Sequence, residues 1–145
     1  MSTPILRPIQ AADNANVARI IRQVMTEFGC VGPGFSIEDP EVDHMYEAYQ
    51  GDHAAFFVVE HQGQVLGCGG FGPLAGGDGT TCELKKMYFL SELRGQGMGK
   101  KLLNHCMETA AQKGYQRMYL ETVNRMTSAN ALYRPDGKIY DTINN

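Results

Sequence analysis

The sequence predicts a mixed α/β domain in which helices lie on both sides of one sheet. Three observations predict it. Short runs rich in β-branched and aromatic residues alternate with stripes at helical spacing, in the order strand, two helices, three strands, helix, strand, helix. The chain of 145 residues is 43% hydrophobic and 20% charged, ordinary globular composition, and its length suits a single domain spanning 1–145. At its centre a strand-like run, Cys82 to Leu90, passes through a glycine-rich turn, Arg94 to Gly99, into a helix that begins near Met98.

Taken in order, Ile5 to Ile9 reads as a first strand, placed at an edge because Pro8 removes a ladder donor. Asp13 is a candidate cap for a helix whose stripe is Val17, Ile20, Ile21, Val24 and Phe28, ending near Gly29. Cys30 to Phe35 is too rich in glycine and proline for regular structure. Asp39-Pro40 starts a second helix, with Asp at the cap and Pro in the first turn; Val42, Met45, Tyr46 and Tyr49 form its apolar side. Ala54–Glu60 and Val65–Phe71 make a hairpin through His61-Gln62-Gly63-Gln64. Glycines at 67, 69, 70 and 72 point to a bulge or to close approach by another backbone. Leu74 to Thr81 is a polar loop. The third helix carries Leu102, Leu103, Cys106, Met107, Ala110 and Ala111 on one stripe and ends at Gly114, a natural C-cap. Arg117 to Thr122 is a fifth strand, and Thr127 or Ser128 caps a short helix, Ala129 to Tyr133.

Strand, glycine turn and helix together aim backbone N–H groups and the positive end of a helix at one point, a geometry that binds phosphate. Spacing narrows the ligand. The P-loop pattern fails because Arg94 stands at its first glycine and Lys101 at its hydroxyl position. The dinucleotide pattern fails because Gly95-x-Gly97 leads to Lys100 and Gly97-x-Gly99 to Leu102. Arg94-x-x-Gly97-x-Gly99 does fit a third pattern. It resembles the Arg/Gln-x-x-Gly-x-Gly/Ala signature of the GNAT superfamily of N-acetyltransferases, and Glu83-Leu-Lys-Lys-Met-Tyr-Phe89 resembles that family's preceding strand.

The resemblance implies a mostly antiparallel sheet over residue 5 to about 134, with the fourth and fifth strands splayed to admit acetyl-coenzyme A. It implies transfer of an acetyl group to a primary amine of a small molecule or protein. The alternative is a non-catalytic acyl-coenzyme A-binding module. Backbone N–H groups of Arg94, Gly95, Gln96, Gly97, Met98, Gly99 and Lys100 are the implied phosphate ligands, with charge added by Arg94 and Lys100. Main-chain atoms of Met87, Tyr88 and Phe89 pair with the pantetheine arm, and an N–H near Tyr88 polarises the acetyl carbonyl. Asn124 and Asn130 are further cofactor contacts.

An ammonium-like amine is no nucleophile near neutrality until a base takes its proton. Glu83 is the first choice for that base and Glu121 the second; the other reading of Glu83 is a solvated or salt-bridged strand residue. His44, His53 and His61 sit in no recognisable frame, and His105 reads as exposed on its helix. Tyr133 matches the family tyrosine that protonates the leaving thiolate; ordinary core packing is its other reading. Glu38, Asp39, Glu41, Asp43 and Glu47, with Tyr46 and Tyr49 between them, form either an acidic rim for a cationic amine or a solvated helix face.

After Tyr133 the pattern departs. Gly137 stands where the family glycine falls, Lys138 replaces an aromatic, Pro135 ends the helix early, and Lys138 to Ile143 is the last strand-like run. A shortened C-terminus follows as an expectation, with an open edge on the fifth strand and a homodimer through that edge.

The net charge of −3 gives no field for nucleic acid. No apolar run approaches the length of a membrane span and Met1-Ser2-Thr3-Pro4 is no signal peptide, so the expectation is a cytoplasmic protein. Cys30, Cys68, Cys82 and Cys106 are scattered, reading as free thiols with no metal site.

Overall fold

A computed structural model describes residues 3–29, 39–120 and 138–141. Six strands lie side by side in chain order: β1 (Ile5–Pro8), β2 (Ala55–His61), β3 (Gln64–Pro73), β4 (Thr81–Phe89), β5 (Arg117–Leu120) and β6 (Lys138–Asp141). All neighbours run antiparallel except β4 and β5, which are parallel. A parallel pair needs a crossover, and helix α3 (Met98–Gln112) supplies it. Helix α1 (Asn14–Glu27) and the short α2 (Met45–Ala48) stand between β1 and β2 in the chain.

Helices cover both faces, as alternation along β2 shows. Phe56 lies against Tyr49 at the end of α2, with ring centroids 5.1 Å apart, whereas Phe57 meets His105 of α3 edge-on at 4.6 Å. The α1 stripe of Val17, Ile20, Ile21 and Val24 is fully buried, as are Leu102, Cys106, Met107 and Ala110 of α3. His105 is therefore half-buried against β2 and not on the exposed side of its helix. Ala111, expected in the α3 stripe, sits at its margin.

Several boundaries sharpen. Asp39 accepts the Glu41 N–H at 3.1 Å as expected of a cap, but residues Pro40–His44 wind as a 3-10 helix before α2 begins. Asp13 does not cap α1 with its side chain; its carboxylate turns back to the Gln10 N–H at 2.7 Å and to Arg7. The β2–β3 turn holds Gln62 and Gly63 at φ of 55° and 81°, the left-handed pair that tight hairpins require. The close approach expected of the β3 glycines is real at Gly70, where a Cβ would stand 2.2 Å from the Ala55 carbonyl oxygen.

A further expectation is overturned. The outer edge of β5 is not open: β6 pairs with it antiparallel from Arg117↔Asp141 to Leu120↔Lys138. The edge argument for a homodimer loses its premise. Tyr133, Asn124, Asn130 and Glu121, with the short helix proposed around Ala129, lie outside the described residues. No helix among the described residues is long and apolar enough to cross a membrane.

Candidate active site

The site is built where β4 leaves β5. Their pairing runs from Thr81↔Arg117 to Glu83↔Tyr119, and from Leu84 onward β4 has no β5 partner among the described residues. Among the described residues, the remaining half of β4 thus presents backbone on that side while β3 holds the other. Leu90 donates its N–H to the Leu66 carbonyl at 2.9 Å, across to β3. Alternation then turns the amide and carbonyl of Phe89 toward the splayed side.

Midway along this stretch β4 carries a bulge. Cys68 pairs with Tyr88 and Gly70 with Lys85, so Lys86 and Met87 together face Gly69. Lys86 takes φ of 52°, a left-handed conformation uncommon for a residue with a Cβ. The Cys68 thiol fills the bulge, donating to the Lys86 carbonyl at 3.4 Å. Burial pushes that thiol up to about 12, against the opposing pull of the Tyr88 N–H beside the sulfur and of the Lys86 charge. The Tyr88 amide is therefore turned to Cys68, within the sheet, and not toward the splayed side.

Beyond β4 the chain enters the glycine turn. Gly95 and Gly97 have φ of 80° and 78°, and a Cβ on either would meet nothing within 4 Å. These positions are open outward as well as conformationally special. Gly97 caps α3, and the first intrahelical bond runs from the Lys101 N–H to the Gly97 carbonyl at 3.2 Å. Helix geometry leaves the N–H groups of Met98, Gly99 and Lys100 pointing out of the helix start.

Arg94 behaves differently from the sequence expectation of a phosphate-facing charge. Its guanidinium forms a fork on Glu27 at 2.7 and 3.0 Å, donates from Nε to the Phe89 carbonyl at 2.9 Å, and stacks 5.3 Å from the Phe28 ring centre. Its N–H donates to the Ser91 carbonyl at 3.2 Å. Gln96 likewise folds its side chain onto the Glu92 carbonyl, 2.7 Å away.

Glu83 is half-buried beside β5, paired in register with Tyr119, and close enough to Tyr49 that its charge helps hold that phenol protonated. The anticipated acidic rim is bonded from within and partly neutralised. Asp43 is gripped by Arg22 through two bonds of 2.8 Å, Glu47 accepts from Asn14 at 2.8 Å, and Asp39 and Glu41 both bind Lys86. Glu38 lies outside the described residues. Sequence reasoning missed Lys86, whose ammonium is almost fully buried at 6% exposure. Its one signal was a Lys-Lys pair inside a strand, where alternation would send the two side chains to opposite faces.

The chain is similar to known proteins in sequence and in fold. The sequence model of the acetyltransferase (GNAT) family matches residues 20–137. The uncharacterized N-acetyltransferase YjgM of Escherichia coli is 43% identical over 132 residues, covering 90% of this chain and 79% of that protein. Among solved structures, a GNAT-family acetyltransferase from Staphylococcus aureus superposes with a TM-score of 0.78 at 20% identity, covering 90% of this chain and 80% of that one. YncA of Salmonella typhimurium, solved with its cofactor acetyl-CoA, gives 0.75 at 24% identity over 91% and 77% of the two chains. Each of these solved chains has the same mixed α/β fold. The chain belongs to the GNAT family of acetyltransferases.

Proposed function

We propose that the protein transfers an acetyl group from acetyl-CoA to a primary amine of a small molecule or protein, by direct attack while both are bound. The observation that carries this reading is the junction of β4, whose pairing with β5 stops at Glu83 among the described residues, with an outward-open glycine turn at the start of α3, in a chain of this family. Acetyl-CoA is present in the YncA structure and coenzyme A in that of an aminoglycoside 6'-N-acetyltransferase.

The residues present suit such a co-substrate. N–H groups from Gly95 to Lys100 would hold its pyrophosphate, with Gly97 and Gly99 allowing close approach and Lys100 adding charge. Arg94 contributes by bracing the turn. Main-chain atoms of Met87 and Phe89 are assigned to the pantetheine arm, with the Phe89 carbonyl already bonded to Arg94, whereas the Tyr88 amide is turned to Cys68. Asn124 and Asn130 are assigned as further contacts. The co-substrate supplies a thioester, whose carbonyl carbon the amine attacks.

Glu83 takes the ammonium proton as general base, directly or through water, and Tyr133 returns a proton to the leaving sulfur. Holding donor and acceptor in one geometry supplies much of the remaining rate. A thiol-release assay over a panel of amines tests the reading. Release with at least one amine supports it; tight coenzyme binding with no turnover of any amine establishes instead a non-catalytic acyl-CoA-binding module.

A further inference from the structure

Lys86 departs from two local rules at once. Among the described residues only Gln62 and Lys86 hold a positive φ without being glycine, and Gln62 sits in a tight hairpin that requires it. Lys86, at φ of 52°, stands inside β4, where no turn asks for that conformation. Its ammonium is also almost fully buried, 3.0 Å from Asp39 Oδ2 and 2.6 Å from Glu41 Oε2. The second departure compensates the first. A left-handed residue with a Cβ is strained and persists only where its surroundings over-determine it. Here both ends of Lys86 are held, the side chain by the two carboxylates and the carbonyl by the Cys68 thiol at 3.4 Å.

The clamp is itself fixed. Asp39 accepts the Glu41 N–H at 3.1 Å, and Glu41 Oε2 accepts the Tyr49 hydroxyl at 2.7 Å. The Tyr49 ring leans on Phe56 of β2, so the carboxylates are anchored on the face of the sheet that carries α2. Met87, the next residue, lies on the other face, where its side chain and Leu102 of α3 both close on Gly69. The backbone angles of Lys86 fix the direction in which the Met87 peptide leaves the bulge.

We infer that Lys86 is a positioning residue for the coenzyme: its ammonium, clamped by Asp39 and Glu41, holds the left-handed backbone of the β4 bulge, and that conformation aims the Met87 main chain at the pantetheine arm. This rests on the proposed binding of acetyl-CoA along β4. With the cation gone, the strain is no longer offset and extended conformers of this residue gain population. A ligand that needs the bulge must then bind from the smaller bulged fraction, which weakens its apparent affinity by that fraction.

Calorimetry on the full chain tests this, with acetyl-CoA and with the phosphoadenosine diphosphate half of coenzyme A as ligands. In Lys86→Met the affinity for acetyl-CoA should fall about three- to tenfold. The nucleotide half carries the pyrophosphate but no pantetheine, and should bind as it does to the parent. Lys86→Gly should recover acetyl-CoA affinity to within about twofold of the parent, since glycine takes a positive φ freely and needs no clamp. A Lys86→Met variant that melts cooperatively and binds acetyl-CoA like the parent overturns the inference. Equal losses for the two ligands overturn it too, as general loosening of the fold. So does a Lys86→Gly variant as weak as Lys86→Met, which would place the effect in the lost ion pair and not in the backbone. If Lys86→Met does not fold, Asp39→Asn combined with Glu41→Gln removes the clamp from the other side, and parent-like acetyl-CoA affinity there is equally fatal. A parent that binds acetyl-CoA but releases thiol with no amine refutes the transfer reading, and the binding comparison still judges Lys86. A parent that binds no acetyl-CoA overturns both.

Discussion

Arg94 reaches from the head of the glycine turn to Glu27 at the end of α1, closing two bonds of 2.7 and 3.0 Å. The pair ties the helix on one face of the sheet to the loop assigned to the coenzyme, and a third bond to the Phe89 carbonyl ties both to β4. Glu27→Gln should leave the fold intact, because a pair this accessible stabilises by under about 1 kcal/mol. Acetyl-CoA affinity should fall about two- to fivefold as the turn loses its brace. Arg94→Lys should do the same, since one ammonium cannot reproduce the fork. Calorimetry on the three proteins decides; unchanged affinity in Glu27→Gln means the brace does not reach the ligand.

Gly97 offers the complementary case, a position where the chain leaves room. Its φ of 78° makes any side chain cost about 1–2 kcal/mol in backbone strain, yet a Cβ meets nothing within 4 Å. Gly97→Glu should therefore fold, with a modestly lowered melting temperature, and place a carboxylate where the pyrophosphate is expected. Loss of measurable acetyl-CoA binding with a retained cooperative melt is the outcome to look for. Binding at the parent level would remove this turn from the coenzyme site.

Gly70 is the opposite again. A Cβ there would lie 2.2 Å from the Ala55 carbonyl oxygen and 2.7 Å from the Phe56 Cα, both backbone atoms of the neighbouring strand. Side-chain motion cannot relieve that contact. Gly70→Ala should cost about 3 kcal/mol or more through displacement of β2 from β3. Urea unfolding reads it directly, and a loss below about 1 kcal/mol would mean that the two strands separate easily.

These residues show what was legible beforehand. The α1 stripe, the Asp39-Pro40 start and the strand–turn–helix are short-range patterns, and periodicity or cap chemistry reveals them. Arg94 and Glu27 are 67 residues apart, and Lys86 and Asp39 are 47 apart. Ion pairs over such separations exist only once the sheet has formed, so Arg94 read as a phosphate contact and Asp39 and Glu41 as part of an acidic rim. The β3 glycines did point to a bulge, but that its extra residue lies in β4 at Lys86 was hidden for a related reason. It is a mismatch of register between two strands, and a strand's own residues do not record what lies opposite. Even the β6 pairing followed this rule, since a four-residue strand beyond Pro135 carries too little pattern to signal that it covers β5.

Asp13 gives the fold an acid-sensitive joint far from the proposed chemistry. Its carboxylate is gripped by Arg7 at 2.8 and 3.0 Å and accepts the Gln10 N–H at 2.7 Å, with the side chain only 8% exposed. The Arg7 contact is the main cause that holds Asp13 below its ordinary value, outweighing burial, with help from Gln10. A depressed carboxyl contributes stability that is present above its unfolded value, about 3.9, and is lost as pH falls through the lower folded value. Asp13→Asn should then cost about 3 kcal/mol at pH 7, because it leaves Glu60 as the one carboxylate bound to Arg7 among the described residues. The gap between parent and variant should narrow below about pH 4, where the parent carboxyl also becomes neutral. Urea unfolding at neutral pH and at about pH 3 checks both halves. A gap of equal size at the two values would show that shape, and not charge, is what Asp13 contributes.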